Sequence, residues 1–423
     1  MRTKHLIPVA LVVLGMFSGV VRAQSKSPIM LDFADEFIGK RLNGEDVQEL
    51  NGHVRMRQGN VRVWCDKAIR FLARDEVELM GNVKVVRDTV TLTAKHGRWY
   101  GNDRKAVCDG GVQLTTTHIV LTADLGDYYT EENKAIFHNH VCVKDESSTI
   151  YCDELTYYEK RRESIAVKNV RVLNPSNNLT LYGDHLVHSD SLQYSKMTKQ
   201  PYVRQIDTAS NGDIDTLEVR SIVMESYNDS TGRLFATDSV QIVRGQLAAR
   251  CELAKYYRPR GVMDLNKEPV VWYDDNQLTG DSISLFLEKG KLNKAYVRGR
   301  AFAVSPSDSL FPLRRNQLSG QRMVFSFADS KLHRVDVEQN AISLYFMYDG
   351  KEPNGVNRTT GDFIVMTFAD GKPEVIRVRK GVEGSYFPEE LVGKDQRKYN
   401  LDGFRLRTNR PQRRMNGLWK LKT

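Results

Sequence analysis

The 423-residue sequence lacks the usual marks of several enzyme classes. It contains no nucleophile elbow, no phosphate-binding glycine loop and no paired Cys-x-x-Cys, so acyl transfer by an exposed serine, nucleotide handling and dithiol chemistry have no candidate residues. Beyond the first two dozen positions it has no apolar run long enough to cross a membrane as a helix. A strong charge is missing from most of the chain as well. The formal net charge is +9, and Arg2, Lys4 and Arg22 account for three of it, leaving +6. From Lys394 to Thr423, ten Lys or Arg stand against Asp395 and Asp402, a net of +8, so the body between is near −2. The basic character belongs to the tail.

Arg2 and Lys4 precede an apolar run from Leu6 to Val21 that ends in Val21-Arg22-Ala23 ahead of Gln24. Charged start, apolar middle and small residues before the junction are the parts of a secretory signal peptide, here residues 1–23. The run is short for a membrane anchor. No cysteine follows the junction, so a lipoprotein-type anchor is not expected. Export in turn disfavours nucleic acid as a partner.

What the chain does have is a repeat. Val54, Val83, Val112, Val141 and Val170 are each 29 positions apart. Gly52, Gly81 and Gly110 keep the same interval, as do Cys65, Ala94, Ala123 and Cys152, and then Phe71, Tyr100, Tyr129 and Tyr158. Such a period means stacked units that bury their apolar faces against neighbours. Within a unit, Val83-Lys84-Val85 and Val90-Thr91-Leu92-Thr93-Ala94 alternate apolar with polar, which is the period of half-buried strands. Polar tips such as Asn102-Asp103-Arg104 and Lys160-Arg161-Arg162 supply turns. Glycine or asparagine before the valine predicts a corner with positive φ. The spacing predicts about three short strands per unit, each unit one circuit of a flattened coil, with equal columns stacked ~4.8 Å apart.

The register runs well from 24 to 190. A polar insertion at 191–214 interrupts it, and a looser series follows over 215–388. There Val240 resumes the valine column, and Cys251 and Gly280 resume the corner. Residues 389–423 form the basic tail. Ten or eleven circuits would make an elongated body of roughly 50 Å.

Candidate sites were sought in the columns. Cys65 and Cys152 share an inward column three circuits apart, about 14 Å, beyond the reach of a disulfide. Cys108 and Cys251 fit as small buried apolar residues. Cys142 faces outward, and its pairing with Cys152 stays open. Asp124, Asp153 and Asp184 in one ladder suit either carboxylate chemistry and calcium or, more simply, the capping of a recurrent corner. His138-Asn139-His140 offers zinc-type ligands without an evident fourth. The aromatic column Phe71, Tyr100, Tyr129, Tyr158 suits sugar stacking or ordinary ladder pairing. Arg405, Arg407, Arg410, Arg413 and Arg414 suit lipid phosphates, an acidic partner or a solvated end. No catalytic residue, metal or cofactor emerges.

The unit Gly81-Asn82-Val83-x-Val85, the Leu92-x-Ala94 strand, the Ala123-Asp124 or Cys152-Asp153 corner and an aromatic such as Tyr129 resemble the OstA-like (organic solvent tolerance) family. That family includes the periplasmic lipopolysaccharide-transport protein LptA and the amino-terminal domain of its outer-membrane partner LptD. The resemblance covers 45–190 well and 215–385 loosely. The chain departs from it in its length relative to LptA, in lacking the LptD barrel and in carrying Lys95 at the corner aspartate. The resemblance implies an all-β, elongated β-solenoid or β-jelly roll of ~29-residue repeats. It also implies a non-enzymatic, periplasmic role in outer-membrane assembly, placed at or near the outer membrane. Lipid A acyl chains of lipopolysaccharide would be shielded inside the solenoid, which would bridge to other transport proteins of the inner and outer membranes and could associate end to end with itself. The interior candidates are Val83, Val85, Leu92, Val112, Leu114, Leu121, Val141, Val143 and Ile150. From pattern alone a closed core suits these residues better, and it is the resemblance that favours a lipid path; small Ala94, Ala123 and Gly183 leave room beside them. The competing readings are a secreted β-helix enzyme acting on polysaccharide, with the aspartates as its site, and a structural envelope solenoid.

Overall fold

Alternating residues fold here into long strands that reverse direction at every turn. The computed structural model describes residues 29–208, 214–288, 291–308, 310–328, 331–369 and 372–413. The expected signal peptide lies outside them, as does the tail from Arg414 onward. The chain divides into two units, Met1–Pro201 and Tyr202–Thr423, and both are built from antiparallel β-strands.

In the first unit each 29-residue repeat is one pair of antiparallel strands, as in Val90–Tyr100 with Lys105–Thr115 and Val120–Tyr129 with Lys134–Lys144. The expected three strands per circuit, with equal columns adjacent, are therefore corrected. Equal columns sit on every second strand, about 9.6 Å apart rather than 4.8 Å. The reason is that the mid-repeat corner does not end a strand; the strand bends there and continues. Register shifts mark the bend between Met80 and Val83, Asp109 and Val112, and Val167 and Val170. Two consecutive residues with positive φ make it: Gly81 and Asn82, Asn139 and His140, Lys168 and Asn169. At Gly81 a side chain would also collide with the Asp66 carboxylate, 2.3 Å from where its Cβ would stand, and that carboxylate accepts from Asn82 Nδ2 at 2.9 Å.

The bends split the long strands into two halves, so each unit has two facing walls. One wall of the first unit carries the unbroken row Val85, Leu92, Leu114, Leu121, Val143, Ile150, each the cross-strand partner of the next. The other carries Leu79, Gly97, Cys108, Gly126, Phe137, Leu155, Ala166 and Leu186 in the same manner. The walls meet: a Cβ on Gly97 would lie 3.6 Å from Val83 Cγ1, and one on Gly126 3.6 Å from Val112 Cγ1.

The second unit repeats the plan. Ala249, Val271, Leu278, Ala303 and Leu318 form one inner row, and Leu265, Ile283, Val297, Met323, Val337 and Ile364 the other. The walls meet beside the bend here as well, where a Cβ on Gly320 would stand 2.6 Å from Val337 Cγ1. The segment expected as a polar insertion carries strands Tyr194–Thr198 and Tyr202–Thr208, with Ile214–Arg220 following. The tail, for which a solvated end was one expectation, is packed down as far as Arg413. A short helix Glu389–Val392 and a 3₁₀ turn Gln396–Tyr399 lead into an extended run that crosses the outside of the second unit.

Candidate functional site

All nine interior candidates are buried, from Leu114 and Leu121 at 0% exposure to Leu92 at 8%. The neighbours between them point away: Lys84, Gln113 and Thr122 are exposed. The physical cause is the two-residue period of the strand, which sends alternate side chains to opposite faces. Structure and pattern thus bring the nine together as one apolar lining over successive repeats. The space beside Gly183 is filled by Met197, whose Sδ lies 2.6 Å from the Cβ position.

One polar spot lies on the other wall, and the sequence pattern did not signal it. His188 is two residues beyond Leu186 on the same strand face, and its ring bonds Ser195 Oγ at 2.9 Å through Nδ1 and Asp190 Oδ1 at 3.0 Å through Nε2. Both His188 and Asp190 side chains are 3% exposed. Beside them Ser164, the cross-strand partner of His188, pairs on its other side with buried Tyr157, whose hydroxyl is pushed up to about 12 by burial.

The corner aspartates hold the bends. Asp124 bonds His140 Nδ1 at 2.8 Å, Asp153 accepts from Asn169 Nδ2 at 2.8 Å, and Asp184 accepts from the Asn169 backbone N–H at 3.1 Å. The bond to Asp124 raises the His140 pKa. Where Lys95 replaces the aspartate, it occupies the same place against Gly110, and the bend is tied instead by His96 and Asp109 at 2.7 Å. Because equal columns are two strands apart, the expected carboxylate ladder at ~4.8 Å does not form. His138 points to Asp127 and Glu154 at 3.5 and 3.6 Å, away from the His140–Asp124 pair.

The aromatic column is likewise not a stack. Each ring is covered by a cation: Arg74 over Phe71 at 4.2 Å, Arg98 over Tyr100 at 5.8 Å, Lys105 and Lys134 over Tyr129 at 5.0 and 4.5 Å, and Arg161 over Tyr158 at 3.9 Å. These faces are engaged by cation–π contact. All five cysteines are free thiols. Burial, the largest cause, pushes Cys65, Cys108, Cys152 and Cys251 up to about 12. The 14 Å expected between Cys65 and Cys152 was an underestimate, since six strands separate the two.

Comparison with known proteins places these features in context. A family model described as OstA-like protein matches residues 26–138 and again 126–263, together more than half of the chain. No curated protein matches. Among solved structures, LptH of Pseudomonas aeruginosa, described as the LptA homologous periplasmic component of the conserved lipopolysaccharide transport device, is similar at 16% identity and a TM-score of 0.27, over 34% of this chain and 95% of that one.

Proposed function

The chain belongs to the OstA-like protein family, and from that premise we propose that it is a periplasmic protein of lipopolysaccharide transport that shelters lipid A acyl chains between its two walls. The observation that carries this reading is the inner row Val85–Leu92–Leu114–Leu121–Val143–Ile150, apolar and buried across six consecutive strands. A row of that kind offers an acyl chain a continuous hydrocarbon surface along the stacking direction. Each methylene moved there from water contributes about 0.8 kcal/mol. The row is closed to solvent, at 0–8% exposure, so a chain enters by parting the walls, and the contacts it makes must replace those it breaks.

Edges supply the partner reading. Met30–Phe33 and Glu36–Leu42 each pair, among the described residues, with Glu45–Gln58, and they expose Met30, Leu31, Phe33 and Phe37. An unpaired apolar strand edge takes a further strand, which suits another transport protein or a second copy end to end. Residues 1–23 would direct export, and the apolar lining would need no catalytic group.

Photocrosslinking in the envelope tests the proposal, with a photoreactive residue at Leu121 and an outward control at Thr122. Lipopolysaccharide adducts at Leu121 alone are expected. A folded protein giving none at Leu121, or equal yields at both sites, refutes an internal lipid path.

A further inference from the structure

The second unit differs from the first in what lies outside its wall. Behind the inner row runs an outer row, Ala248, Trp272, Gln277, Val304, Gln317 and Leu344, again partner to partner. Every one of these residues is buried, whereas the outward positions of the first unit carry exposed Lys84, Gln113 and Thr122. The cover is the C-terminal segment. Val392 and Leu401 sink into a cluster with Phe302, Val304, Leu344, Phe346 and Val356.

Two buried glutamines read the segment's backbone. Gln277 donates from Nε2 to the Arg405 carbonyl at 2.8 Å and accepts the Arg407 N–H at 2.7 Å. Gln317 donates to Asn400 Oδ1 at 2.6 Å and accepts the Leu401 N–H at 2.9 Å. The Gln277 amide thus supplies the donor and acceptor that a neighbouring strand would, and Gln317 engages one backbone N–H and one side-chain oxygen, of a chain that crosses the strands instead of joining them. The ends are tied by charge. Buried Arg314 forks onto Glu389 at 3.0 and 2.5 Å, Arg410 donates to the carbonyls of Asp274 and Gln246 at 2.6 and 2.8 Å, and Arg413 donates to Thr216 O at 3.1 Å.

All these attachments fall on one half of the bent strands, the half that holds Ala301–Pro306, Arg315–Gly320 and Ala341–Asp349 on one side of the bulges between Arg298 and Ala301 and between Ser319 and Arg322, or on the turns at its end. In a stack held by nearest neighbours, one rung can loosen while the rest stay closed. A segment bonded to many successive rungs removes that freedom. We propose that residues 388–413 are a clamp that makes this wall of the second unit move as one plate, so that its interior opens as a whole and only when the segment lets go, while the first unit opens rung by rung. The consequence for a ligand rests on the acyl-chain reading above; the mechanical claim does not.

The test compares the intact protein with Gln277→Ala/Gln317→Ala and with a chain ending at Phe387. Amide hydrogen exchange is expected to rise at least tenfold in Ala301–Pro306, Arg315–Gly320 and Ala341–Asp349, with the opposite half-strands Lys291–Arg298, Arg322–Ala328 and Lys331–Glu338 and the whole first unit within twofold of the parent. Exchange unchanged in Ala301–Pro306, Arg315–Gly320 and Ala341–Asp349 overturns the clamp. So does a rise shared by both half-strands, which would make the segment a general support of the fold. A photoreactive residue at Ile283, on the inner row, should gain lipopolysaccharide adducts in the double variant. Absence of adducts at Leu121 in the parent refutes the lipid reading, and the exchange result still decides the clamp.

Discussion

Replacing Leu121 with alanine probes the lining most directly. Leu121 is fully buried and is the cross-strand partner of Leu114, also fully buried, on one side and Val143 on the other. The change removes three carbons at about 0.8 kcal/mol each. The backbone ladders on both sides keep the neighbours from collapsing into the gap, so a cavity cost adds to this and the total is about 3 kcal/mol. Thr122→Ala, one residue along on the exposed face, should cost no more than about 0.5 kcal/mol. Because the chain has two units, a single unfolding midpoint mixes them, and hydrogen exchange read peptide by peptide is the better assay. Three kcal/mol corresponds to roughly a hundredfold faster exchange. It should concentrate in Lys105–Thr115, Val120–Tyr129 and Lys134–Lys144 and leave the second unit unchanged, since repeats couple chiefly to their neighbours. Equal, small effects of the two substitutions would refute a packed inner row.

Acid should loosen the first strands through Glu49. Its side chain, 6% exposed, accepts from Lys67 at 2.5 Å and pairs with Lys40, and these bonds hold its pKa at about 2 against an ordinary 4.5. A depressed carboxylate stabilises the fold above the unfolded value, and that contribution is lost as pH falls from about 4.5 towards 2. Protection of Glu36–Leu42, measured against the intrinsic exchange rate at each pH, should therefore fall over that window in the parent, and a Glu49→Gln variant showing the same pH response would exclude Glu49 as the cause. Thiol labelling checks the wall assignment: Cys142, partly exposed, should react with a maleimide in the native protein, and the buried Cys65, Cys152 and Cys251 only after denaturation. Native labelling of Cys152 would contradict its inward placement.

The alternation at Val83-Lys84-Val85 and the recurrence of Val54 through Val170 determined a β-structure with one apolar face, and the nine lining residues follow from that alternation alone. Glycine and asparagine before the valine determined the bends, because consecutive positive φ angles disfavour most other side chains. Aspartates such as Asp124 and Asp153 were legible as corner ties for the same local reason. Strand count was not legible, since a bend within a strand and a turn between strands draw on the same residues. Only the ladder shows that Tyr129 lies against Lys105 and Lys134, so that neither the aromatic rings nor the aspartates stack at adjacent rungs. The covered face of the second unit left a faint mark: Ala301-Phe302-Ala303-Val304 and Val270-Val271-Trp272 do not alternate, as expected of strands buried on both sides. What covers them lies about a hundred residues or more downstream, in a tail that reads as basic and aperiodic. Local pattern carries the faces of a strand, whereas the meeting of Gln277 with Arg405 and of Gln317 with Leu401 depends on where the whole stack ends and which way the chain turns back, and tertiary structure alone decides that.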